Sequence, residues 1–279
     1  MRKEWRPLDA RTPVIQVQDL VHVYPTGTRA LRGVTVTIYQ GEKVGIIGQN
    51  GSGKTTLVKH FNGLLKPTEG TVLVMGQDTR RSHVSQLARR VGYVFQNPDH
   101  QLFSNSVREE LAFGPKNVGM SKKEIEERVR YAAEFMKLEH LMDVHPYRLS
   151  RGERQRLAIA SVLAMNPEVM ILDEPTGGAN REQLQRLERL VDELHSAGKT
   201  VILITHDMNV LAETCERTIA MWDGQIILDG ATRDVLREEE KLAQTFLTPP
   251  PVVRLSLRAG WPQLTLTVNE AERYLLERG

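Results

Sequence analysis

The sequence predicts an α/β fold organised around a mainly parallel β-sheet. Three short apolar runs, at residues 44–47, 169–172 and 201–204, have the composition of strands covered on both faces. Amphipathic helical patterns lie between these runs, so that strands and helices alternate along the chain. Residues 34–39 differ, because apolar side chains alternate there as in a half-buried strand. We therefore expect an antiparallel β portion before the parallel sheet.

The remaining elements follow from local patterns. Further strands are expected at residues 14–21, 71–75 and 91–95, and a hairpin turns at Asp223-Gly224. Within the helical pattern of residues 107–141, Ser121 and Glu124 have the spacing of a capping box. Other helices are predicted to follow Gly53, with apolar residues through Leu64, and to span residues 157–164 and 184–194.

Composition excludes several classes of function. The net charge of +2 argues against a nucleic-acid binder held by a basic surface. The one cysteine, Cys215, excludes a disulfide framework and fits a small buried side chain better than a catalytic thiol. No segment approaches the ~20 apolar residues of a membrane span, and the N-terminus lacks the apolar region of a secretory signal. We expect a cytosolic chain that reaches a membrane only through a partner.

The strongest motif is the segment at residues 48–55, which fits G-x-x-x-x-G-K-[ST] in full. Its glycines let backbone N–H groups approach phosphate oxygens, and the helix after Gly53 points its positive end at the same anion. Lys54 would contact the β and γ phosphates and Thr55 would ligate Mg²⁺. A chance Gly-rich turn is the alternative, but this segment follows an apolar strand and opens a helix, as the motif requires. The predicted nucleotide-binding residues here are Gly48, Gln49, Asn50, Gly51, Ser52, Gly53, Lys54, Thr55 and Thr56.

Two other strands end in polar residues. Residues 169–172 lead into Asp173, placed to hold Mg²⁺, and Glu174, placed to polarise an attacking water. Residues 201–204 lead to His206, a candidate for contact with the γ-phosphate or that water. Either pattern alone is more often an ordinary strand exit or a surface histidine. The phosphate-binding motif upstream favours the catalytic interpretation of both.

These residues together resemble the ATP-binding subunits of ABC transporters over nearly all of residues 14–245. Tyr24 matches the adenine-stacking aromatic residue, and Gln96 matches the glutamine loop that senses Mg²⁺ and the transport partner. Residues 149–153 occupy the signature position, and His206 matches the switch histidine. Tyr24 or Gln96 alone would be unremarkable surface or core residues; their order around the phosphate-binding motif supports the resemblance.

The resemblance implies a P-loop NTPase ABC ATPase with a RecA-like parallel sheet core, an N-terminal antiparallel β subdomain and an α-helical signature subdomain. It places the ATPase domain at residues 1–247, the helical subdomain at about 97–165 and a small C-terminal extension at 248–279. ATP and Mg²⁺ are the implied cofactors. Glu174, His206, Gln96 and Lys54 are the implied catalytic residues, and Thr55, Gln96 and Asp173 the metal-binding ones. Ser150 and Gly152 would contact ATP bound by a second subunit.

Three less specific sequence features resemble those of the ATPases of energy-coupling factor (ECF) and cobalt-type importers. They are the segment at residues 96–103, the stretch at 217–235 and the proline-broken tail. In that family two ATPase subunits drive an integral membrane coupling protein, and a separate membrane protein captures a vitamin or a metal ion. The resemblance therefore implies a peripheral protein on the cytoplasmic face of the membrane, with no span of its own and no nucleic-acid partner.

The signature departs from the family pattern Leu-Ser-Gly-Gly-Gln. Arg151 replaces the first glycine and Glu153 replaces the glutamine, while Asn180 stands where an aspartate is expected. We expect Ser150 and the backbone at Gly152 still to donate to phosphate. The changes favour a heterodimer with an ATPase paralogue of standard signature over a homodimer that tolerates them.

Three other functions are alternatives to an importer ATPase. The altered signature is compatible with a nucleotide-gated structural subunit that hydrolyses little, but the complete acid pair opposes it. An ABC ATPase of DNA repair or translation would be expected to carry a coiled-coil insertion or a second cassette. An exporter ATPase would not be expected to carry the segment at residues 97–103.

Overall fold

The computed structural model describes residues 12–176 and 181–277. Its strands are β1 Pro13–Val23, β2 Arg29–Tyr39, β3 Lys43–Ile47, β4 Glu69–Val74, β5 Gln77–Asp78, β6 Val91–Val94, β7 Val169–Asp173, β8 Thr200–Ile204, β9 Arg217–Trp222 and β10 Gln225–Ala231. Its α-helices are α1 Lys54–Phe61, α2 Val84–Ala88, α3 Val107–Asn117, α4 Lys122–Phe135, α5 Arg151–Ala164, α6 Arg181–Ser196, α7 Met208–Thr214, α8 Thr232–Val235, α9 Glu239–Gln244, α10 Pro251–Arg258 and α11 Val268–Leu276. Short 3₁₀ helices occupy Pro98–His100, Glu139–Leu141 and Pro146–Arg148.

The first strands form an antiparallel sheet in the order β2-β1-β4-β5. Val34, Val36 and Ile38 of β2 are buried, as their alternation predicts. They join a core cluster with Phe61 of α1 and with one face of the second sheet. The predicted antiparallel β portion is therefore confirmed, and its core continues beneath the phosphate-binding helix.

The second sheet has the order β10-β9-β3-β8-β7-β6, with β6, β7, β8, β3 and β9 parallel. Every residue of β7 and β8 is buried. Alternate residues of β7 face opposite cores, because Ile171 joins the antiparallel-sheet cluster while Leu172 joins the helical cluster. The apolar runs therefore reflect strands covered on both faces, as predicted.

Helices α5 and α6 pack against the other side of this sheet, and α3 and α4 pack on α5. The predicted capping box starts α4: the Ser121 side chain accepts from the N–H of Glu124, and Glu124 accepts from the N–H of Ser121. Among the described helices, none combines the length and the apolar composition that crossing a membrane requires.

Two details refine the predicted boundaries. Helix α1 ends at Phe61, so Leu64 lies beyond it and is exposed, contrary to the helical pattern. The helices after the proline-rich break pack on the main body, because Val253 and Leu264 are buried in the helical cluster. Arg233 of α8 also pairs with Glu270 of α11 at 3.0 Å. The boundary predicted at residue 248 stays a prediction.

Candidate nucleotide-binding site

The phosphate-binding loop joins the end of β3 to the start of α1. Gly53 caps the helix with a φ of 101°, a left-handed conformation that favours glycine. Gly48, Ser52 and Lys54 are buried, whereas Gln49, Asn50 and Gly51 are exposed. The ammonium group of Lys54 donates to the carbonyls of Gly48, at 2.7 Å, and Gln49, at 3.0 Å. The loop is thus curled around its own lysine.

Neighbouring strands hold this loop in place. A Cβ atom at Gly48 would lie 2.3 Å from the carbonyl oxygen of Met221 in β9, so only glycine fits. The N–H of Gly224, in the hairpin turn after β9, donates to the Ser52 carbonyl at 3.1 Å. The Ser52 hydroxyl oxygen is buried without a hydrogen-bond partner among the described residues. An orphaned polar atom inside a loop of this shape fits a phosphate ligand.

The charge on Lys54 is held in a buried position. Burial lowers the pKa of Lys54, while Glu174 and Asp173 act in the opposite direction and favour its charged form. The lysine is therefore a cation between two acids and a loop of backbone dipoles. An anionic phosphate is the kind of ligand that would complete this charge pattern.

Asp173 lies at the end of β7 and is 1% exposed. Its Oδ2 accepts from the Thr55 hydroxyl at 3.1 Å and from the Tyr93 hydroxyl at 2.6 Å. Burial and the Asp173 carboxylate raise the pKa of Tyr93, so its hydroxyl remains a donor. Thr55 and Asp173 bring a hydroxyl and a carboxylate oxygen together beside the phosphate loop, a donor set that suits Mg²⁺.

Glu174 and His206 meet across the ends of β7 and β8. Nδ1 of His206 lies 2.7 Å from Oε2 of Glu174. The two atoms are close enough for an ion pair, but they do not form a hydrogen bond. That oxygen has no hydrogen-bond partner among the described residues. Glu174 is buried with a φ of 48°, and its N–H donates to the Ile204 carbonyl at 2.9 Å. The His206 side chain is 69% exposed. A buried carboxylate beside an exposed imidazole can accept a proton from water at this edge.

Tyr24 lies beside the first turn of α1. Its hydroxyl is 3.0 Å from that of Thr56, and its ring meets His22 edge to face at 4.7 Å. Behind them, His60 packs against His22, and burial lowers the pKa of His60 to about 4. Neutral His60 therefore adds no charge behind His22 and Tyr24.

Gln96 lies exposed in a bend after β6. The following segment is tied to α5, because Gln101 accepts from the Phe95 N–H at 3.0 Å and donates to the Ala158 carbonyl at 2.7 Å. Asp99 also pairs with Arg154 at 3.2 Å. Neither link was predicted from the sequence, since both depend on where the loop meets the helix.

The signature residues form the start of α5. Ser150 caps the helix, and Oε2 of Glu153 accepts from its hydroxyl at 2.7 Å and its N–H at 2.8 Å. These bonds lower the pKa of Glu153, which is therefore ionised. The Ser150 hydroxyl, expected to be available for phosphate, is thus engaged within its own chain. The S-x-x-E spacing was the available signal for this capping box. Asn180 lies outside the described residues.

The structure brings most of the predicted site together. Lys54, Thr55, Asp173, Glu174 and His206 meet at the carboxyl end of the parallel sheet, where α/β proteins bind ligands. Ser150 is the N-cap of α5 and Gly152 lies in its first turn, and their role toward another subunit stays a prediction. The contact of Tyr93 with Asp173 was not predicted.

Comparisons with known proteins agree with this geometry. The ABC transporter family profile matches residues 31–177. The energy-coupling factor transporter ATP-binding protein EcfA of Methanothermobacter thermautotrophicus is 40% identical over 269 residues, or 94% of this chain and 86% of EcfA. The structure of cbiO1 from Clostridium perfringens, part of the ABC transporter complex cbiONQ, superimposes with a TM-score of 0.73 at 36% identity. It covers 89% of this chain and 96% of cbiO1.

Some relatives are longer. An ABC transporter ATP-binding protein of Caldanaerobacter subterraneus subsp. tengcongensis is 48% identical over 247 residues. These are 88% of this chain but only 43% of that protein, so the chain spans less than half the length of this relative. The sheet topology, the phosphate-binding loop and the similarity over most of the chain agree: the chain belongs to the ABC transporter family of ATPases.

Proposed function

We propose that the chain binds and hydrolyses Mg-ATP as the ATPase subunit of an ECF-type importer. The observation that carries the proposal is the pairing of Glu174 with His206 beside the Lys54–Asp173 cluster. A subunit that only bound nucleotide would not need a buried carboxylate at the water-facing edge of its phosphate site. Similarity to EcfA and cbiO1 supports the importer class.

Each residue has a distinct role in this proposal. Lys54 exchanges its bonds to the loop carbonyls for phosphate oxygens, and the N–H groups of the loop take the remaining phosphate charge. Tyr24 stacks on the adenine. Thr55, Asp173 and Gln96 hold Mg²⁺, which neutralises developing charge when bound. Glu174 accepts a proton from the attacking water, and His206 keeps that carboxylate oriented and contacts the γ-phosphate.

The Glu174→Gln variant tests the catalytic assignment. The amide keeps the shape of the side chain but cannot accept the proton, so we expect at least about 100-fold slower turnover with ATP binding retained. Phosphate release and equilibrium ATP binding are measured on the same preparation. Near-normal turnover would remove Glu174 from this role, whereas lost binding would show a structural one.

We further propose that the chain pairs with an ATPase paralogue of standard signature. In such a pair this chain's phosphate loop works with the partner's signature, while Ser150 and Gly152 face the partner's ATP. The hydrogen bond from the Ser150 hydroxyl to Glu153 supports a difference between the two ATP sites of such a pair. It occupies a donor that the phosphate of ATP bound by the partner would use. Full ATPase activity and dimerisation by the isolated chain, equal to those of the mixture with its paralogue, would refute the heterodimer.

A membrane partner is proposed to dock near Gln96. Phe103 and Phe113 are 60% and 46% exposed, and their rings meet edge to face at 4.7 Å. An exposed aromatic pair beside the Gln101 links offers an apolar contact for a cytoplasmic segment of the coupling protein. We expect this contact to hold the chain peripherally on the cytoplasmic face, with the cargo captured by a separate membrane protein.

Docking is tested by co-purification with membranes that contain the coupling protein. Phe103→Ser combined with Phe113→Ser is expected to abolish retention while basal ATP hydrolysis persists. Phe246→Ser is the control, because Phe246 is 74% exposed and lies in the C-terminal part of the chain. Equal retention of both variants would exclude the aromatic pair as the docking surface.

A further inference from the structure

We infer that Tyr93 is a positioning residue that orients Asp173 for a divalent cation. The inference rests on the proposed Mg²⁺ site and adds a residue that the phosphate-binding motif does not contain. Tyr93 lies on β6, next to β7, and pairs in register with Ile171. It therefore reaches Asp173 from the adjacent strand rather than from the phosphate loop.

The contact has the geometry of a strong hydrogen bond. The Tyr93 hydroxyl donates to Oδ2 of Asp173 at 2.6 Å, within the range of O–H···O⁻ bonds to a charged acceptor. The ring is half-buried and meets Phe95 edge to face at 5.0 Å. With its ring packed and its hydroxyl bonded, the tyrosine has little freedom to leave the carboxylate.

Tyr93 and Thr55 differ in what they do when a cation binds. The Thr55 hydroxyl contacts Oδ2 at 3.1 Å and Oδ1 at 3.4 Å, but as a metal ligand it directs its oxygen lone pair to the cation. Its contact with the carboxylate is then altered. Tyr93 is not a ligand in this arrangement and can keep its bond to Oδ2. The carboxylate then stays fixed, with Oδ1 free for the cation or its water.

The same residue connects the cation site to the partner-facing segment. Tyr93 precedes Phe95, whose N–H donates to Gln101, and Gln101 is bonded to α5. Tyr93 therefore links the Asp173 carboxylate to the base of the segment that carries Gln96. Hydrogen-bond partners of metal ligands typically change metal affinity by about 10- to 100-fold when removed.

The test uses Tyr93→Phe in the full chain, which removes the hydroxyl and keeps the ring. Binding of Mn²⁺ in the presence of ATP is followed by the loss of the free-ion electron paramagnetic resonance signal. We expect about 10-fold weaker Mn²⁺ binding. ATP binding in EDTA is expected to stay within about twofold, because Tyr93 makes no contact with the phosphate loop in this interpretation. Turnover should recover at high Mg²⁺ concentration.

Tyr147→Phe is the matched control, since it removes a tyrosine hydroxyl that contacts the Leu102 carbonyl at 3.4 Å. Unchanged Mn²⁺ affinity in Tyr93→Phe would overturn the inference. A loss of ATP binding in EDTA as large as the loss of Mn²⁺ binding would also overturn the inference, because Tyr93 would then support the fold or the nucleotide rather than Asp173. If the wild-type chain binds ATP but no Mn²⁺ with it, the proposed cation site fails, and the role of Tyr93 fails with it.

Discussion

Replacing Glu153 with glutamine is expected to change stability and association in opposite directions. The carboxylate of Glu153 receives two donors of Ser150, at 2.7 and 2.8 Å, at the start of α5. Hydrogen bonds to charged groups contribute about 1.5–3 kcal/mol and neutral ones about 0.5–1.5 kcal/mol. Because the pair lies at the surface, we expect Glu153→Gln to lower the free energy of unfolding by only about 1 kcal/mol, or about 2–4 °C in Tm.

The same change removes a negative charge from the surface that would face a second subunit's ATP. Two like charges about 4 Å apart in water repel by about 1 kcal/mol, which corresponds to about fivefold in an equilibrium constant. We therefore expect ATP-dependent self-association to become at least about fivefold tighter. It is measured by sedimentation velocity in the Glu174→Gln background, where bound ATP is not consumed.

Glu124→Gln provides a matched control. Glu124 forms the same capping box with Ser121 on α4, a helix of the same length. This variant is expected to lower Tm without changing association. If Glu153→Gln is less stable yet associates no more tightly than the background, the charge at Glu153 does not limit pairing, and the proposed difference between the two sites loses the support of that charge.

Three further predictions concern the body of the protein. Burial and Glu213 raise the pKa of Glu188 from 4.5 to about 7. Between these two pH values the folded chain binds more protons than the unfolded chain, so the stabilisation present at lower pH is lost as pH rises through about 7. Glu213→Gln should raise Tm at pH 8 and change it little at pH 5; an equal shift at both would exclude the pair. A Cβ at Gly45 would lie 2.1 Å from Leu211, so Gly45→Ala should cost about 1–3 kcal/mol in urea unfolding, and an unchanged midpoint would show that the core relaxes. Burial raises the pKa of Cys215 to about 12, so a thiol reagent should label it only as the chain unfolds; rapid labelling of the folded chain would contradict this.

Local patterns predicted most of the sheet and helix framework. The runs at residues 169–172 and 201–204 are strands with both faces buried, which is why they lack the alternation of a half-buried strand. The capping box at Ser121 was predicted from the sequence because its two partners are three residues apart. Leu64 was misassigned because helical spacing alone does not show that α1 ends at Phe61.

The parts of the site that were missed depend on tertiary placement. Tyr93 and Asp173 are separated by 80 residues and meet only because β6 lies beside β7. The S-x-x-E spacing at Ser150 is a local signal for a capping box, whereas the resemblance to the signature implies only a role toward a second subunit. The structure adds that Glu153 also serves its own helix.

The most direct test of the central claim is the structure of the Glu174→Gln variant with Mg-ATP. The proposed site predicts the γ-phosphate on Lys54, the adenine on Tyr24, and the cation within about 2.1 Å of the Thr55 hydroxyl oxygen and next to Asp173. A cation that contacts neither Thr55 nor Asp173, or a nucleotide whose phosphates lie outside the 48–55 loop, would contradict the claim.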